Sequence, residues 1–516
     1  MSSVSAILNN TRSALTAQTD LIRVTSDNIS NVNTPGYVKR RANVNSRVLE
    51  GTGDGLQFGQ GVSIGNVQRI VDEFLNSRVL AQQATASGAE MRSEVLSRLE
   101  APFALDALVG NIGEKLTSFF NSLEDLSPNP ADIALRQNVL EKGGELVTSI
   151  QNTFNIIASL QDEANSRIGT MISEVNRITA DIADLNQRIL SAETDDQEHL
   201  GLRDQRDSLL QDLAEYVEFS TVETSDGAVQ VYLSNGFGLV GDTFARPLEF
   251  VVDPSFSPVG GYPPSLSGGG MGHIVFDFDE TAGTSHLNLT DAIAGGGGKI
   301  GALLNVRGVQ SDTDTSPFDA VGDLPAVAAR VEAITLDLLT RFNTEYLGPD
   351  EDATTLGHQA SSADLNGNAP AVFGLFDLGG LESDSGGITG IPDLSDITAL
   401  GLANVSSLIE FAVDDPEDLA AARDIDTADG STAFTTGDNS NIVGLLSQRN
   451  ATTDYSTFSL NNLSSTSTIG ELYDNTVTYV GGLAGSAKTS SQLEQDRLSQ
   501  LEALQDSKSK VNLDEE

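Results

Sequence analysis

The chain has 516 residues, a net charge of −45 and no cysteine. Such an acidic excess argues against nucleic acid, whose phosphates need Lys and Arg, and against anionic membrane surfaces. The missing cysteine removes disulfides, thiolate nucleophiles and Cys-ligated metals, while the length allows two to four domains with packed cores.

The first 50 residues depart from this balance. Arg12, Arg23, Lys39, Arg40, Arg41 and Arg47 face Asp20, Asp27 and Glu50, a net +3 that leaves −48 for the rest. The two parts meet different environments. No basic n-region with an apolar core opens the chain, so no cleaved secretory signal is read there, and no apolar run reaches bilayer length.

Leu8, Leu15, Ile22 and Ile29 recur at every seventh position, widened by Ile7, Ala14 and Leu21. Thr11, Gln18 and Thr25 stand where a strong coiled coil places its second apolar row. One narrow stripe with small neighbours suits a helix packed among many others, and an amphipathic helix on a globular core has the same period. Thr34-Pro35-Gly36 ends it, and Asn28, Asn31 and Asn33 are expected to hydrogen-bond local backbone in that turn.

A strand is predicted over 62–69, and Asp72 as the N-cap of a helical stretch reaching 126, broken at Ala101-Pro102. Ser127-Pro128-Asn129-Pro130 interrupts the chain. From Ile150 to Ile189 apolar residues then alternate at spacings of 4 and 3, through Phe154, Ile157, Ile168, Val175, Ile178, Ile182 and Leu185. This predicts a coiled-coil or long bundle helix, a strut of about 60 Å at 1.5 Å per residue. A second helix over 200–217 folds back on it.

Val229, Val231 and Leu233 alternate into an Asn235-Gly236 hairpin turn. Residues 252–298 are rich in Gly, Pro and Ser, with strands at 273–278 and 286–289. Helix returns over 325–347. Residues 348–424 read as acidic loop with short strands near 370–376 and 408–413, followed by helix at 441–446 and 467–510.

Motifs that would carry chemistry fail on detail. Gly295–Gly298 before Lys299 hints at a phosphate loop, but Ile293 and Ile300 stand where Gly and Ser or Thr belong. Asp364-Leu365-Asn366-Gly367-Asn368 starts like a calcium loop, but Ala369 and Leu375 occupy the required Gly and Glu positions. His199, His273, His286 and His358 have no metal-ligand spacing. The pairs Asp195-Asp196 and Asp414-Asp415 read as solvated faces. No catalytic, cofactor or metal site is predicted.

Four stretches, in order, carry a resemblance. The N-terminal helix and Asn28-Ile29-Ser30-Asn31-Val32-Asn33-Thr34-Pro35-Gly36-Tyr37 resemble the signature of bacterial flagellar axial proteins: rod, hook and hook-associated. Gly59-Gln60-Gly61-Val62 follows, with Val67-Gln68-Arg69 and Phe74. Leu202-Arg203-Asp204-Gln205-Arg206-Asp207 is similar to a Leu-Asp-Gln-Arg-Asp helix of the hook-associated protein 1 family, with Arg203 as a departure. The last stretch is Gly437-Asp438-Asn439-Ser440-Asn441, Leu445-Leu446 and the ending Val511-Asn512-Leu513-Asp514-Glu515-Glu516. The stretches around 240–300 and 350–430 match weakly.

The resemblance implies a mainly α, α+β, elongated multi-domain protein. Residues 1–50 with 481–516 would pair as an axial coiled-coil domain. Residues 51–216, 299–347 and 425–480 would form a helical bundle, and 217–298 with 348–424 a β-rich outer domain. Leu8, Leu15, Ile22 and Ile29 would pack between subunits, and Asp204, Gln205, Arg206 and Asp207 would tie bundle helices together. Asn512, Leu513, Asp514, Glu515 and Glu516 would be the C-terminal motif. In the family a Gln-, Tyr- and Ala-rich helix follows it, so the axial C-terminal half is expected to be incomplete here.

The implied function is structural: a ring of subunits joining hook to filament and needed for filament assembly. Implied partners are copies of itself, hook protein, the next hook-associated protein, and the flagellar type III export machinery with its chaperone. The implied location is extracellular, and the terminal helices would order on assembly. A hook or distal rod subunit shares the N-terminal signature but turns to β structure sooner. A secreted acidic hydrolase, with the β insertions as catalytic domain, would need an acid–base constellation that the sequence does not offer.

Overall fold

The computed structural model describes residues 2–47, 50–51, 57–58, 61–104, 111–193, 199–252, 271–279, 284–309, 322–347, 362–366, 374–378, 405–423, 435, 437–455 and 466–512. Asp195-Asp196, His358 and Leu513–Glu516 lie outside them. The chain opens with helix α1 (Ser2–Ser30), then antiparallel β1 (Arg40–Ser46) and β4 (Val62–Arg69), with the short pair β2 (Glu50–Gly51) and β3 (Gln57–Phe58) between. Asp72 caps α2 (Glu73–Glu100), its carboxylate accepting from Leu75 N–H at 3.1 Å. Pro102 converts the end of α2 into a 3₁₀ turn, and Asn111 caps α3 (Ile112–Leu126).

The axis of the body is α4 (Ile133–Ala192), 60 residues and so about 90 Å long. It starts earlier than the repeat at Ile150 suggested. Asp132 caps its first turn, and Val139, Leu146 and Val147 extend the buried face upstream. Ile150, Phe154, Ile157, Ile168, Val175, Ile182 and Ile189 are all fully buried. Their cover comes from this chain's own elements, so α4 is the central helix of a bundle and not one strand of a two-stranded coil. Those elements include α3, α5 (Leu200–Tyr216), α7 (Lys299–Arg307) and α8 (Asp323–Asp337), with α6 (Thr290–Ala294) beside α7. A π-type stretch, Leu338–Phe342, joins α8 to α9 (Asn343–Leu347).

The Gly295–Gly298 segment is a packing device and not a phosphate cradle. Gly298 takes a φ of +96° and its N–H donates to Ala84 O at 2.8 Å. A Cβ on Gly88 of α2 would meet that backbone at 3.0 Å. Lys299 is engaged by Glu215 and lies over the Tyr216 ring.

Two β regions attach to α4 at different levels. β5 (Phe219–Glu223), β6 (Val229–Leu233) and β7 (Gly238–Val240) form one antiparallel sheet, and β8 (Glu249–Val252), β9 (Gly272–Asp279) and β10 (Thr284–Asn288) a second. Asn186 of α4 binds both Val229 N–H and Val229 O, and Asn176 does the same for Leu248. The later region holds β11 (Ser362–Ala363), β12 (Phe376–Asp377), α10 (Val405–Leu408), β13 (Glu410–Phe411) and β14 (Ala422–Arg423). It docks lower on α4, through Gln151 to Ile409 O and through Arg136 to Pro416 O and Leu419 O. Residues 151 and 176 are about 37 Å apart along the helix. Among the described residues no sheet joins 217–298 to 348–424, and the two regions dock on α4 separately. Each satisfies its buried backbone at its own polar side chains on α4.

Helix α11 (Ser440–Ser447) packs on α3, and the bridge of β15 (Thr453–Asp454) with β16 (Thr466–Ser467) leads to α12 (Ile469–Ser509), opened by a Thr468–Glu471 capping box. α12 runs antiparallel to α2, with Gln505 bound to Asn76 and Lys508 to Asp72. The termini were expected to pair with each other. Within this chain α12 instead spends its buried residues on the bundle and α2, while α1 leans on β1 and β4. The described terminal segments meet through Lys39 N–H, which donates to Ser509 O at 2.8 Å.

Candidate assembly surface

α1 uses only one of its faces inside the chain. Ala17 and Asn28 are buried and Asn10, Ser13, Leu21 and Val24 partly so, against the β1–β4 hairpin. Gly61, at φ +91°, passes so close to Asn10 and Ser13 that a Cβ has no room. The opposite face keeps the heptad stripe in solvent: Leu8 is 64%, Leu15 65%, Ile22 61% and Ile29 46% exposed, with Ile7 alongside. Four large apolar residues thus stand in one solvent-facing row.

The turn after α1 fixes where that stripe points. The Asn28 side chain reaches beyond the local turn to β1. Its amide donates to Arg40 O and its carbonyl accepts from Arg40 N–H, both at 3.0 Å, so it pairs with β1 as a strand would. The Tyr37 hydroxyl donates to the same carbonyl at 3.0 Å. Asn31 makes the local bonds expected of it, to Asp27 O and from Thr34 Oγ1. Asn33, Thr34 and Pro35 are exposed. Gly36 takes φ +74°, the left-handed conformation glycine permits, with its α-carbon facing Ser208 and Asp204 of α5.

The charge motif on α5 meets this turn. Asp204 accepts from Arg40 at 3.3 Å and lies 3.3 Å from Arg69 of β4, which also binds Asp207. Arg40 stacks on Tyr37, 4.8 Å from the ring centre. Burial pushes the Asp204 carboxyl above the usual range, against the pull of Arg69 and Arg40. Arg206 points the other way: fully buried, it donates to Gly227 O at 2.6 Å and Asn186 Oδ1 at 3.3 Å, and burial lowers its pKa. Gln205 is exposed. The motif therefore joins α5 to a hairpin on one side and to α4 and a β-turn on the other. Arg40 and Arg69 were legible only as a basic cluster and a motif tail, because nothing in sequence pairs positions 164 apart.

Asn512 is exposed. Among the described residues no group of three or more His, Cys, Asp or Glu side chains converges to hold a metal, and no helix is long and apolar enough to cross a membrane.

Residues 96–346 match the family model of the flagellar hook-associated protein FlgK helical domain, and residues 8–37 that of the flagella basal body rod protein. Flagellar hook-associated protein 1 of Escherichia coli is 26% identical over 99% of this chain and 94% of its own length. That of Salmonella typhimurium is also 26% identical, over the same shares. That of Bacillus subtilis is 29% identical over 43% of this chain and 44% of its own. The solved flagellar hook junction protein FlgK from Burkholderia pseudomallei shares the fold, with a TM-score of 0.61 at 15% identity, covering 84% of this chain and all of that one. The heptad strut, the clamped N-terminal helix and the near full-length similarity to the Escherichia coli and Salmonella typhimurium proteins point the same way, to a likeness with the flagellar hook-associated protein 1 family.

Proposed function

We propose that the chain is a structural subunit of the bacterial flagellum, placed where the hook meets the filament and needed for the filament to assemble. The observation that carries this reading is the α1 stripe. Leu8, Leu15, Ile22 and Ile29 are held in solvent on a helix whose other face is locked to the body through Asn28, Arg40 and Asp204. A rigidly aimed, unpartnered apolar row serves association between subunits, and each residue buried there contributes about 1.5–3 kcal/mol. The exterior of the working assembly is then the acidic bundle, which stays solvated and self-repelling.

In this reading the protein works by packing and not by catalysis. α1, with its hairpin and the distal part of α12, is the axial region. The α2–α5, α7–α9 and α12 bundle is the wall, and the two β attachments face outward. The subunit meets copies of itself in a ring, hook protein below and the next hook-associated protein above. It reaches its extracellular site through the flagellar export channel, served by an export chaperone. Replacing Leu15 and Ile22 together by Asp in cells lacking their own copy tests this. The expected outcome is folded protein, hooks without filaments and flagellin free in the medium; normal filaments on those cells would refute it.

A further inference from the structure

α12 carries Gly481, Gly482 and Gly485 in mid-helix. A glycine inside a helix weakens it roughly fivefold relative to alanine, and one kept there ordinarily has a packing reason. Gly88 of α2 has such a reason in the Gly298 backbone. Among the described residues these three do not: a Cβ on any of them would meet nothing within 4 Å.

What changes at this stretch is how α12 is held. Before it, Ile469, Leu472, Tyr473, Thr476 and Val480 are buried against the bundle, and Ala484 and Ala487 close that core. Beyond it, Leu498 is buried in a separate small cluster with Val79 and Ala86, flanked by Leu501. Leu493 and Leu504 face solvent. The side-chain hydrogen bonds and ion pairs of this half along α2 are Gln82 to Glu494, Gln495 to Glu90, Gln505 to Asn76 and Lys508 to Asp72. Such part-exposed bonds exchange with water at small net cost. Beside Gly481 and Gly485 an open groove separates α12 from Glu94 and Ser97 of α2.

Three features therefore coincide: a half anchored by several large buried residues, a half laid along α2 with a single buried leucine, and a run of poor helix formers between them. We propose that Gly481–Gly485 is a hinge about which residues 488–509 come off α2 as a unit while 469–480 stay in the bundle. Hinges are short positions that absorb the backbone change, and a helix lifted from its support frays and exchanges its amides. Since Ser509 O holds Lys39 N–H, the swing breaks this bond while the β1–β4 hairpin stays clamped to α5 through Asp204. The joint is a property of the free chain and stands or falls apart from the flagellar reading.

Hydrogen exchange on the full chain tests it. Amides over 488–509 should exchange at least about a hundredfold faster than those over 469–480. The triple variant Gly481→Ala, Gly482→Ala, Gly485→Ala places methyls in open space, and should slow distal exchange by roughly fivefold per site. Leu498→Ala should speed the distal amides and leave 469–480 unchanged. Even protection along all of α12 would overturn the hinge, as would a triple variant that exchanges like the parent. A triple variant that fails to fold would do so as well, by making the glycines packing residues.

Discussion

α1 and α4 carry the same seven-residue apolar repeat and end in opposite environments. In α4, Val175, Ile182 and Ile189 are sealed by the chain's own helices and sheets; in α1, Leu15 and Ile22 stand almost two-thirds exposed. Both helices are long, and both have capped or clamped ends. The difference is in what surrounds them. α4 has a second buried row, through Ile150, Ile157, Ala164 and Ile178, so it can be covered on several sides. α1 has one row, and its reverse face is small and polar, suited to lie on a two-stranded hairpin. A repeat announces that a stripe will be covered; its width decides whether one chain can supply the cover.

The sharpest way to break this comparison is to place a charge in each stripe. Val175→Asp puts an unpaired carboxylate where no solvent reaches, and should destabilise the fold by about 4 kcal/mol or more. Thermal or urea unfolding reads this directly. An unchanged midpoint would mean that the α4 seam is not the dry interior that its burial describes.

Burial can also be read through pH at Glu332 on α8. Its carboxyl is wholly enclosed, both oxygens lie within 3.2 Å of Ser406 N–H, and burial raises its pKa to about 8 from 4.5. Because the folded pKa of this acid is raised, its contribution is full below about pH 4.5. It is lost as pH climbs toward 8, while the unfolded chain ionises and the folded chain does not. Glu332→Gln keeps an acceptor for Ser406 and cannot ionise. Stability measured from pH 5 to 8 should fall less steeply in this variant, by a few kcal/mol at the upper end. Parallel pH profiles for parent and variant would show that Glu332 is not held neutral.

Much of the body was legible in sequence because its signals are local. Asp72, Pro102 and the Ser127–Pro130 run set helix ends where they stand, and Asn235-Gly236 turns β6 into β7. The α4 stripe was visible, though not its start at Ile133, because residues 133–149 mix small and charged positions into the buried face. β1 was missed: Arg40–Ser46 has almost no apolar alternation and owes its pairing to Asn28 and β4. The same limit hid the Arg40–Asp204–Arg69 contact, since long-range ion pairs leave no periodicity. Nor does composition say where on a 60-residue helix each β region will dock.

Asn28 is where the two helices' fates are tied to geometry. Asn28→Ala leaves Arg40 N–H, Arg40 O and the Tyr37 hydroxyl without these partners in a buried spot. The expected loss is about 2 kcal/mol, felt mostly as release of α1 from the hairpin. Amide exchange should rise through residues 7–30 and stay low in α4. A rise in α4 of the same size would mean that the clamp supports the whole fold and not the aim of one helix.

The smallest effect on stability is expected from the stripe itself, and it is the most informative. Leu15→Ser and Ile22→Ser remove apolar groups that are already 65% and 61% in water. Little transfer free energy is lost, leucine's helix propensity falls only slightly, and no cavity forms. The double variant should therefore unfold within about 0.5 kcal/mol of the parent, against the large cost at Val175. Association is the opposite case. If neighbouring subunits cover these residues, each lost side chain removes about 1.5–3 kcal/mol per contact, repeated at every copy of the interface. Binding of the variant to isolated hooks should then drop by orders of magnitude while its melting curve stays in place. A variant that melts early would place the stripe in the monomer's own core, and one that binds hooks normally would remove α1 from the interface.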